Sequence, residues 1–292
     1  MAGLAVVGLL GAACGGDDGG GADTGGGGKF PEGSTMAQLV DRGEIVIGVK
    51  FDVPPFGFEN PQTGEVEGFD VDLGRIIAEE LGVEPRFIEA ISDNRIPFLK
   101  DGTADLILST MTITTDRDAE IDFSRPYYIA RGRVLVPEDS DIADVGDLSG
   151  RRVCTALGST YEENLSKEVP DARLELVDSY SECLELLQNG AVDAISTDDV
   201  ILTGMIIQAG EDFPMKLVGD PISIEPYGAG VKDGDTEFAD FVSGVIEQTF
   251  ADGTWDKLYE RWVGQYTGEE PEHPQDYTLQ EALKMRPCVE FC

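Results

Sequence analysis

Short apolar runs alternate with amphipathic stretches from about residue 37 onward. Residues 44–49 (EIVIGV) read as a strand, and residues 71–81 carry apolar side chains at helical spacing with Gly82 as the stop. Further strand-like runs occur at 86–91, 104–109, 133–136, 151–155, 174–177 and 192–196. Because helical segments separate the strands, the pattern predicts an α/β fold with a mostly parallel sheet and helices on its faces.

Two stretches of the chain repeat the same order of local features. Residues 99–107 (LKDGTADLI) and 187–195 (LQNGAVDAI) each predict a helix end, a glycine turn, an aspartate and a buried strand. Polar residues follow both strands, and ligands in such sheets lie beyond the carboxyl ends of strands. The repeat predicts two similar α/β lobes with polar side chains between them. A chance similarity of two common helix–glycine–strand units is the alternative.

The last helical stretch begins after residue 235. Its residues Trp255, Leu258, Tyr259 and Trp262 share one helix face, which favours a core position over a ligand cage. Beyond residue 267 the chain is polar and proline-rich, so we predict a loosely held tail over 268–292.

The chain is strongly acidic. It carries 57 acidic and 21 basic residues among 292, for a formal net charge of −36. Such a field repels nucleic acid, so we expect no nucleic-acid partner. An acidic surface with few lysines is typical either of life at high salt or of an ordinary acidic secreted protein. The 41% hydrophobic content is that of a globular protein with a core.

The first residues predict export. Residues 1–13 are apolar and small, too few to span a bilayer, and fit a secretory leader. With Cys14 next, the segment resembles a bacterial lipoprotein signal, although no basic residue precedes it and Gly11 stands where leucine is usual. Residues 14–36 begin with a glycine-rich run that predicts a flexible tether. We therefore expect Cys14 to be lipidated and the protein to be anchored to the outer face of the cell membrane.

The other four cysteines favour disulfides outside the cytoplasm. We expect one between Cys154 and Cys183, contributing about 3–4 kcal/mol by loop closure. A Cys288–Cys292 pair would close a small loop in the tail. A zinc site is the competing interpretation, but the chain lacks a CxxC pair and its one histidine is His273.

Several motifs in order resemble one known family, the bacterial extracellular solute-binding proteins of family 3, receptors of polar amino-acid ABC importers. The matching stretches are 68–81 (GFDVDLGRIIAEEL), 122–128 (DFSRPYY), 157–160 (LGST) and 251–262 (ADGTWDKLYERW). The resemblance covers about residues 37–266. It implies a periplasmic-binding-protein-like fold, in which two α/β lobes joined by two hinge strands close on a polar amino acid.

The resemblance also implies the lobe boundaries and partners. Lobe 1 combines residues 37–133 with 228–267, and lobe 2 is 134–227. We expect a monomer that works with the permease subunits of an ABC importer and needs neither cofactor nor metal.

A free amino acid presents a carboxylate and an ammonium, which require a cation and an anion. Arg117 suits the carboxylate because its planar guanidinium pairs bidentately, and the family's arginine at this place does so. Gly158, Ser159 and Thr160 precede a helix and offer backbone N–H groups and hydroxyls to the same carboxylate. A surface salt bridge for the arginine and a simple helix cap for the turn are the alternatives.

Asp198 is the expected partner for the ammonium, with Thr197 and Asp199 as neighbouring candidates. Lobe 1 would add the hydroxyls Ser109, Thr110 and Thr112. Each of the three also suits a local turn at a strand end.

Side-chain selectivity depends on Lys50 and Arg95. Relatives with basic or stacked ligands carry an aromatic residue near the places of Val53 and Ser92, and this chain does not. Two cations favour a carboxylate side chain, and the chain resembles glutamate-binding members. We therefore expect glutamate or aspartate, then glutamine. Simple pairing of Lys50 or Arg95 with surface acids is the alternative. An apolar wall of the ligand site could come from Phe51 or Phe56, which also suit the core.

The net negative charge of the chain opposes the approach of an anionic ligand at long range, but salt screens this repulsion.

Two other functions fit the fold. A few proteins of this fold are dehydratases, but we find no nucleophile–base pair, and His273 lies in the tail, so we expect no enzyme. A sensory module would need a separate membrane partner, because no signalling domain follows the fold.

Overall fold

Strands and helices alternate along most of the chain. The structure is a computed structural model that describes residues 29–267 and 272–285. The strands are β1 (Glu44–Val49), β2 (Asp52–Val53), β3 (Gly57–Glu59), β4 (Val66–Glu67), β5 (Glu84–Glu89), β6 (Leu106–Ile107), β7 (Ile121–Pro137), β8 (Arg152–Ala156), β9 (Arg173–Val177), β10 (Ala194–Asp198) and β11 (Met215–Lys232).

The helices are α1 (Thr35–Arg42), α2 (Phe69–Leu81), α3 (Arg95–Asp101), α4 (Thr115–Asp118), α5 (Thr160–Glu168), α6 (Tyr180–Gln188), α7 (Asp199–Ala209), α8 (Thr236–Ala251), α9 (Thr254–Tyr259), α10 (Gln265–Thr267) and α11 (Leu279–Ala282). A π-helical turn, Glu260–Gly264, continues α9.

Two long antiparallel strands, β7 and β11, connect the halves of the molecule. The main sheet has the order β5-β1-β6-β11-β7-β10-β8-β9, so three strands of one half flank β11 and three of the other flank β7. The register between β7 and β11 breaks between Val218 and Ser223 and again near Tyr227. The predicted α/β fold of two lobes joined by two hinge strands is confirmed. Both boundaries that the sequence predicts, 133/134 and 227/228, fall within these strands and stay a prediction.

The sheet is mixed rather than mostly parallel. Pairing is parallel between β1 and its neighbours β5 and β6, and between β8 and its neighbours β9 and β10. It is antiparallel where β6, β7, β10 and β11 meet. The difference arises because the chain crosses between the lobes in both directions. A helix–strand pattern predicts the parallel units but not the two crossings.

The periodic segments form as the sequence predicts. Helix α2 ends at Gly82, whose left-handed φ of 82° forms the C-cap. The predicted aromatic face is core: Trp255 is fully buried, and its indole donates to the carbonyl of Tyr127 at 2.8 Å. Phe56 also lies in this core, with its ring 4.9 Å from that of Tyr128. These contacts anchor the C-terminal helices to lobe 1.

A disulfide joins β8 to α6 in lobe 2. It links Cys154 and Cys183, the pair expected from the sequence, with their Cα atoms 5.5 Å apart. Because both sulfurs are bonded to each other, neither is available to zinc. The other three cysteines, the leader and most of the tether lie outside the described residues. Within the described ranges, no helix has the length and apolar character needed to cross a membrane.

The tail is held more firmly than the sequence predicts. Residues 272–285, which we call the C-terminal strap, pack against lobe 1. The His273 ring lies 4.5 Å from that of Trp255 and 5.1 Å from that of Phe250. Ala282 is fully buried in a cluster with strands of lobe 1. The expectation of a loose tail was wrong for this part, because a few apolar and aromatic contacts fix a segment whose composition is polar.

We predict that Cys154→Ala and Cys183→Ala each lower the free energy of unfolding by about 3–4 kcal/mol, since either change opens the same loop. Urea denaturation under non-reducing conditions measures this. The double variant should lose little more than either single one. Additive losses would show that packing of the side chains, not the cross-link, carries the effect.

Candidate functional site

The two lobes contact each other across a closed cleft. The backbone N–H of Ser181 in α6 donates to the Asp52 carboxylate of lobe 1 at 3.1 Å. Helix α7 approaches so closely that a Cβ on Gly204 would lie 1.9 Å from the carbonyl oxygen of Pro54. The geometry therefore describes lobes that have already come together.

Two arginines of lobe 1 meet one carbonyl of lobe 2. Arg117 donates to the carbonyl of Thr112 at 2.8 Å and to that of Gly158 at 3.0 Å. Arg95, at the start of α3, donates to the same Gly158 oxygen at 3.3 Å. Gly158 has a left-handed φ of 72°, and a Cβ there would lie 2.8 Å from the Cα of Asp93 in lobe 1. Only glycine allows this approach, so the turn before α5 is fitted to the opposite lobe.

Lys50 lies at the end of β1 inside the cleft. It is 1% exposed, and its ammonium donates to the Ser92 hydroxyl at 2.9 Å. Burial, and then repulsion from Arg95, lowers the pKa of Lys50 to about 7. Burial and the charge of Arg117 lower the pKa of Arg95 to about 9. Lys50, Arg95 and Arg117 therefore gather positive charge in the cleft, and nearby carboxylates offset their mutual repulsion only in part.

Negative charge gathers on the lobe 2 and hinge side. Asp198 ends β10 and accepts the Tyr161 hydroxyl at 2.9 Å. Glu225, on the hinge strand β11, accepts the hydroxyls of Ser223 at 2.6 Å and Thr160 at 3.0 Å. Burial and the nearby Glu225 hold the pKa of Asp198 well above its ordinary value, and burial also raises the pKa of Glu225. Two such carboxylates favour a cation between them.

A strained residue supports the cationic side. Thr110 has a φ of 44°, which is unfavourable for a β-branched residue. Its N–H donates to the buried Asp70 carboxylate at 2.9 Å, and its carbonyl accepts from Arg95 at 3.1 Å. Burial raises the pKa of Asp70 to about 7. This network fixes Arg95, which also donates to the carbonyl of Ser109 at 3.0 Å.

The remaining predicted residues also lie at this cleft. The side chains of Ser109, Ser159 and Asp199, however, are bonded to neighbouring groups of the protein. The Ser109 hydroxyl donates to the carbonyl of Ala90 at 2.8 Å. That of Ser159 lies 3.3 Å from the Thr155 hydroxyl. Asp199 accepts the backbone N–H of Arg131 on hinge strand β7 at 3.2 Å. It therefore holds the hinge, whereas its neighbour Asp198 faces the cleft network.

Sequence reasoning missed two acids and three tyrosines. Glu225 and Asp70 are at most 1% exposed, as are Tyr161 and Tyr227, and Tyr180 is 3% exposed. Glu225 is the one charged residue between Asp220 and Lys232 on β11, which is a usable signal for a buried functional acid. The tyrosines give no such signal, because their pattern is that of ordinary core residues.

The arrangement separates charge across the cleft. Within the described residues, no carboxylate lies at ion-pair distance from Lys50, Arg95 or Arg117, and no cation lies so close to Asp198 or Glu225. A zwitterion satisfies both sides at once.

Comparison with known proteins decides the family. The model for bacterial extracellular solute-binding proteins, family 3, matches residues 45–265. The chain belongs to this family. The glutamine-binding protein GlnH of Bacillus subtilis (strain 168) is 38% identical over 239 residues, covering 80% of this chain and 86% of the relative. The glutamate-binding protein GluB of Corynebacterium efficiens is 31% identical over 263 residues, covering 86% of this chain and 88% of that one.

A solved structure of an ancestral arginine-binding protein bound to glutamine superimposes on this family 3 protein with a TM-score of 0.73. The two are 37% identical, and the match covers 76% of this chain and 99% of the other. The resemblance inferred from the motifs is confirmed. The relatives bind amino acids of different side-chain charge, so the family alone does not give the ligand.

We predict that Gly204→Ala prevents full closure, because the added Cβ would overlap the Pro54 carbonyl oxygen across the cleft. Overpacking costs about 1–3 kcal/mol, so amino-acid affinity should fall by about 5- to 150-fold. Small-angle X-ray scattering should also show a more open form with ligand present.

Gly244→Ala is the matched control, because a Cβ added to that helical glycine would have nothing within 4 Å of it. It should leave affinity unchanged. Normal closure and binding by Gly204→Ala would show that the α7 contact does not limit closure.

Proposed function

We propose that this protein captures an acidic amino acid by lobe closure and delivers it to an ABC importer. Glutamate or aspartate is the favoured ligand and glutamine the next. The observation that carries the proposal is Lys50, a buried ammonium beside two arginines with no carboxylate at ion-pair distance among the described residues.

The groups common to all amino acids use part of the cleft. Arg117 and the turn at Gly158 suit the α-carboxylate, since the guanidinium and the first N–H groups of α5 approach from opposite lobes. Asp198 suits the ammonium, with Glu225 adding negative charge behind it. A ligand held in this way contacts both lobes and therefore favours the closed form by its additional contacts.

The remaining positive charge favours a carboxylate side chain. Arg95 already donates to the carbonyls of Ser92, Ser109, Thr110 and Gly158, so it acts chiefly through its charge and by holding the cleft wall. Among the residues that the structure describes, Lys50 donates to one acceptor, Ser92, although an ammonium has three protons. Its free donors and its charge make it the preferred partner of a ligand carboxylate.

Glutamine competes for the same place. Its amide is neutral, so it gains hydrogen bonds but no charge pairing from Lys50. GlnH and the ancestral structure show that glutamine suits related clefts. Because the pKa of Lys50 is lowered to about 7, its charge, and with it the preference for glutamate, should depend on pH near neutrality.

Attachment to the membrane completes the proposal. The apolar leader, Cys14 and the glycine-rich tether favour a lipoprotein on the outer face of the cell membrane. From there the folded body can reach the permease.

We predict that glutamate raises the melting temperature of the purified protein more than glutamine does at pH 6.5. Lys50→Met should weaken glutamate binding by about 30- to 1000-fold, because it leaves the ligand carboxylate without its buried partner. Glutamine affinity should fall by less than about tenfold. Thermal shift with the common amino acids, followed by calorimetry, measures both.

Lys232→Met is the matched control, since Lys232 is an exposed lysine of the same lobe. It should bind both ligands as the unaltered protein does. If no amino acid shifts the melting temperature, the function is wrong. If Lys50→Met keeps the preference for glutamate, only the assignment of the side-chain partner is wrong.

A further inference from the structure

The C-terminal strap is fixed to the hinge strand β7 by two arginines. Arg125 donates to the backbone carbonyls of Gln275 at 2.8 Å and Tyr277 at 3.0 Å. Farther along the strand, Arg131 pairs with Glu272 at 2.5 Å. The strap therefore lies along the strand that passes between the lobes, and its course is set by contacts with backbone as well as side chains.

The end of the strap forms a wall of the cleft mouth. Leu283 and Met285 line a cavity of about 710 Å³ there. The other walls come from Thr114–Arg117 in lobe 1 and from Gly158–Thr160 in lobe 2. This cavity adjoins the proposed ligand site, because Arg117 and Gly158 belong to both. Three separate segments of the chain thus meet at one entrance.

The entrance is cationic in a strongly acidic protein. Arg117, Lys167 and Lys284 line it, against the two acids Asp116 and Glu163, and Glu163 pairs with Lys167 at 2.5 Å. Lys284 is an exposed residue of the strap and Lys167 an exposed residue of α5. Over the whole chain the balance is reversed, with 57 acids and 21 bases.

We infer that this mouth is an encounter site for an anionic amino acid, completed by Lys284 of the C-terminal strap. The long-range field of a chain with charge −36 slows the approach of an anion. Salt screens that field beyond about 8 Å, so cations grouped at the entrance dominate the last part of the approach. Lys284, and Lys167 beside its partner Glu163, then attract the ligand to the cavity that Arg117 also lines.

The inference rests on the proposed acidic ligand and adds a kinetic role to residues outside the binding cleft. Charges at the rim of a site act mainly on the association rate, whereas groups that contact the bound ligand act on dissociation. Lys284 and Lys167 should therefore accelerate glutamate association and leave dissociation unchanged. Glutamine has no net charge, so its association should not respond.

Stopped-flow fluorescence of the full chain tests this with L-glutamate and L-glutamine at low and high salt. Trp262 supplies a signal, because it lines a groove together with Gly204 of lobe 2. Lys284→Gln and Lys167→Gln should each lower the glutamate association rate about two- to threefold at low salt. The effect should shrink at high salt, and Lys284→Arg should restore the rate.

Lys257→Gln is the matched control, since it removes an exposed lysine that does not line the cavity. If Lys284→Gln slows glutamate no more than this control, or slows glutamine equally, the encounter site is wrong. Unchanged equilibrium binding in that case would leave the proposed function intact. If the unaltered protein does not bind glutamate, the proposed acidic ligand fails, and this inference fails with it.

Discussion

Separation of buried charge across the cleft is the constraint on which the rest of the structure depends. Lys50, Arg95 and Arg117 lie on lobe 1, while Asp198 and Glu225 lie on lobe 2 and the hinge. Burying unpaired charge is costly, and the lowered lysine pKa and raised aspartate pKa record that cost. A ligand with complementary charges relieves both sides, and it can do so only when the lobes are together.

The hinge takes part in this arrangement. Glu225 belongs to β11, yet it accepts the hydroxyl of Thr160 at the start of α5. Asp199, next to the proposed ammonium partner, holds the backbone of Arg131 on β7. Both hinge strands are therefore bonded to the segments of lobe 2 that carry predicted ligand groups. These two hydrogen bonds link the proposed ligand contacts to the hinge strands, and so to the relative position of the lobes.

The local parts of the fold could be predicted from the sequence. Strand β1, helix α2 with its glycine cap, and the buried aromatic face around Trp255 all follow from hydrophobic spacing. The apolar pattern predicts strand β7 only at 133–136, whereas it runs from Ile121 to Pro137. Its arginines and Pro126 interrupt the apolar pattern, and the partners of Arg125 and Arg131 are distant in sequence.

The candidate site was predictable where a motif or a charge requirement indicated it. Arg117, Gly158 and Asp198 come together in one cleft. Glu225 and the strap were not foreseen, because their burial depends on contacts between segments far apart in the chain. Ser109 lies at the expected strand end, but its hydroxyl donates to the carbonyl of Ala90 in its own lobe, and the sequence does not indicate this contact.

Proton uptake on binding tests the central claim most directly. A ligand carboxylate near Lys50 should raise its pKa from about 7, so the protein takes up protons when glutamate binds above that pH. Calorimetry at pH 7.5 in two buffers of different ionisation enthalpy measures the number. Asp198, whose pKa is raised, releases protons to the same extent when either ligand places its ammonium there, so the difference between the two ligands reports on Lys50. We predict that glutamate binding takes up about half a proton or more relative to glutamine binding. Equal proton exchange for the two ligands would contradict the account.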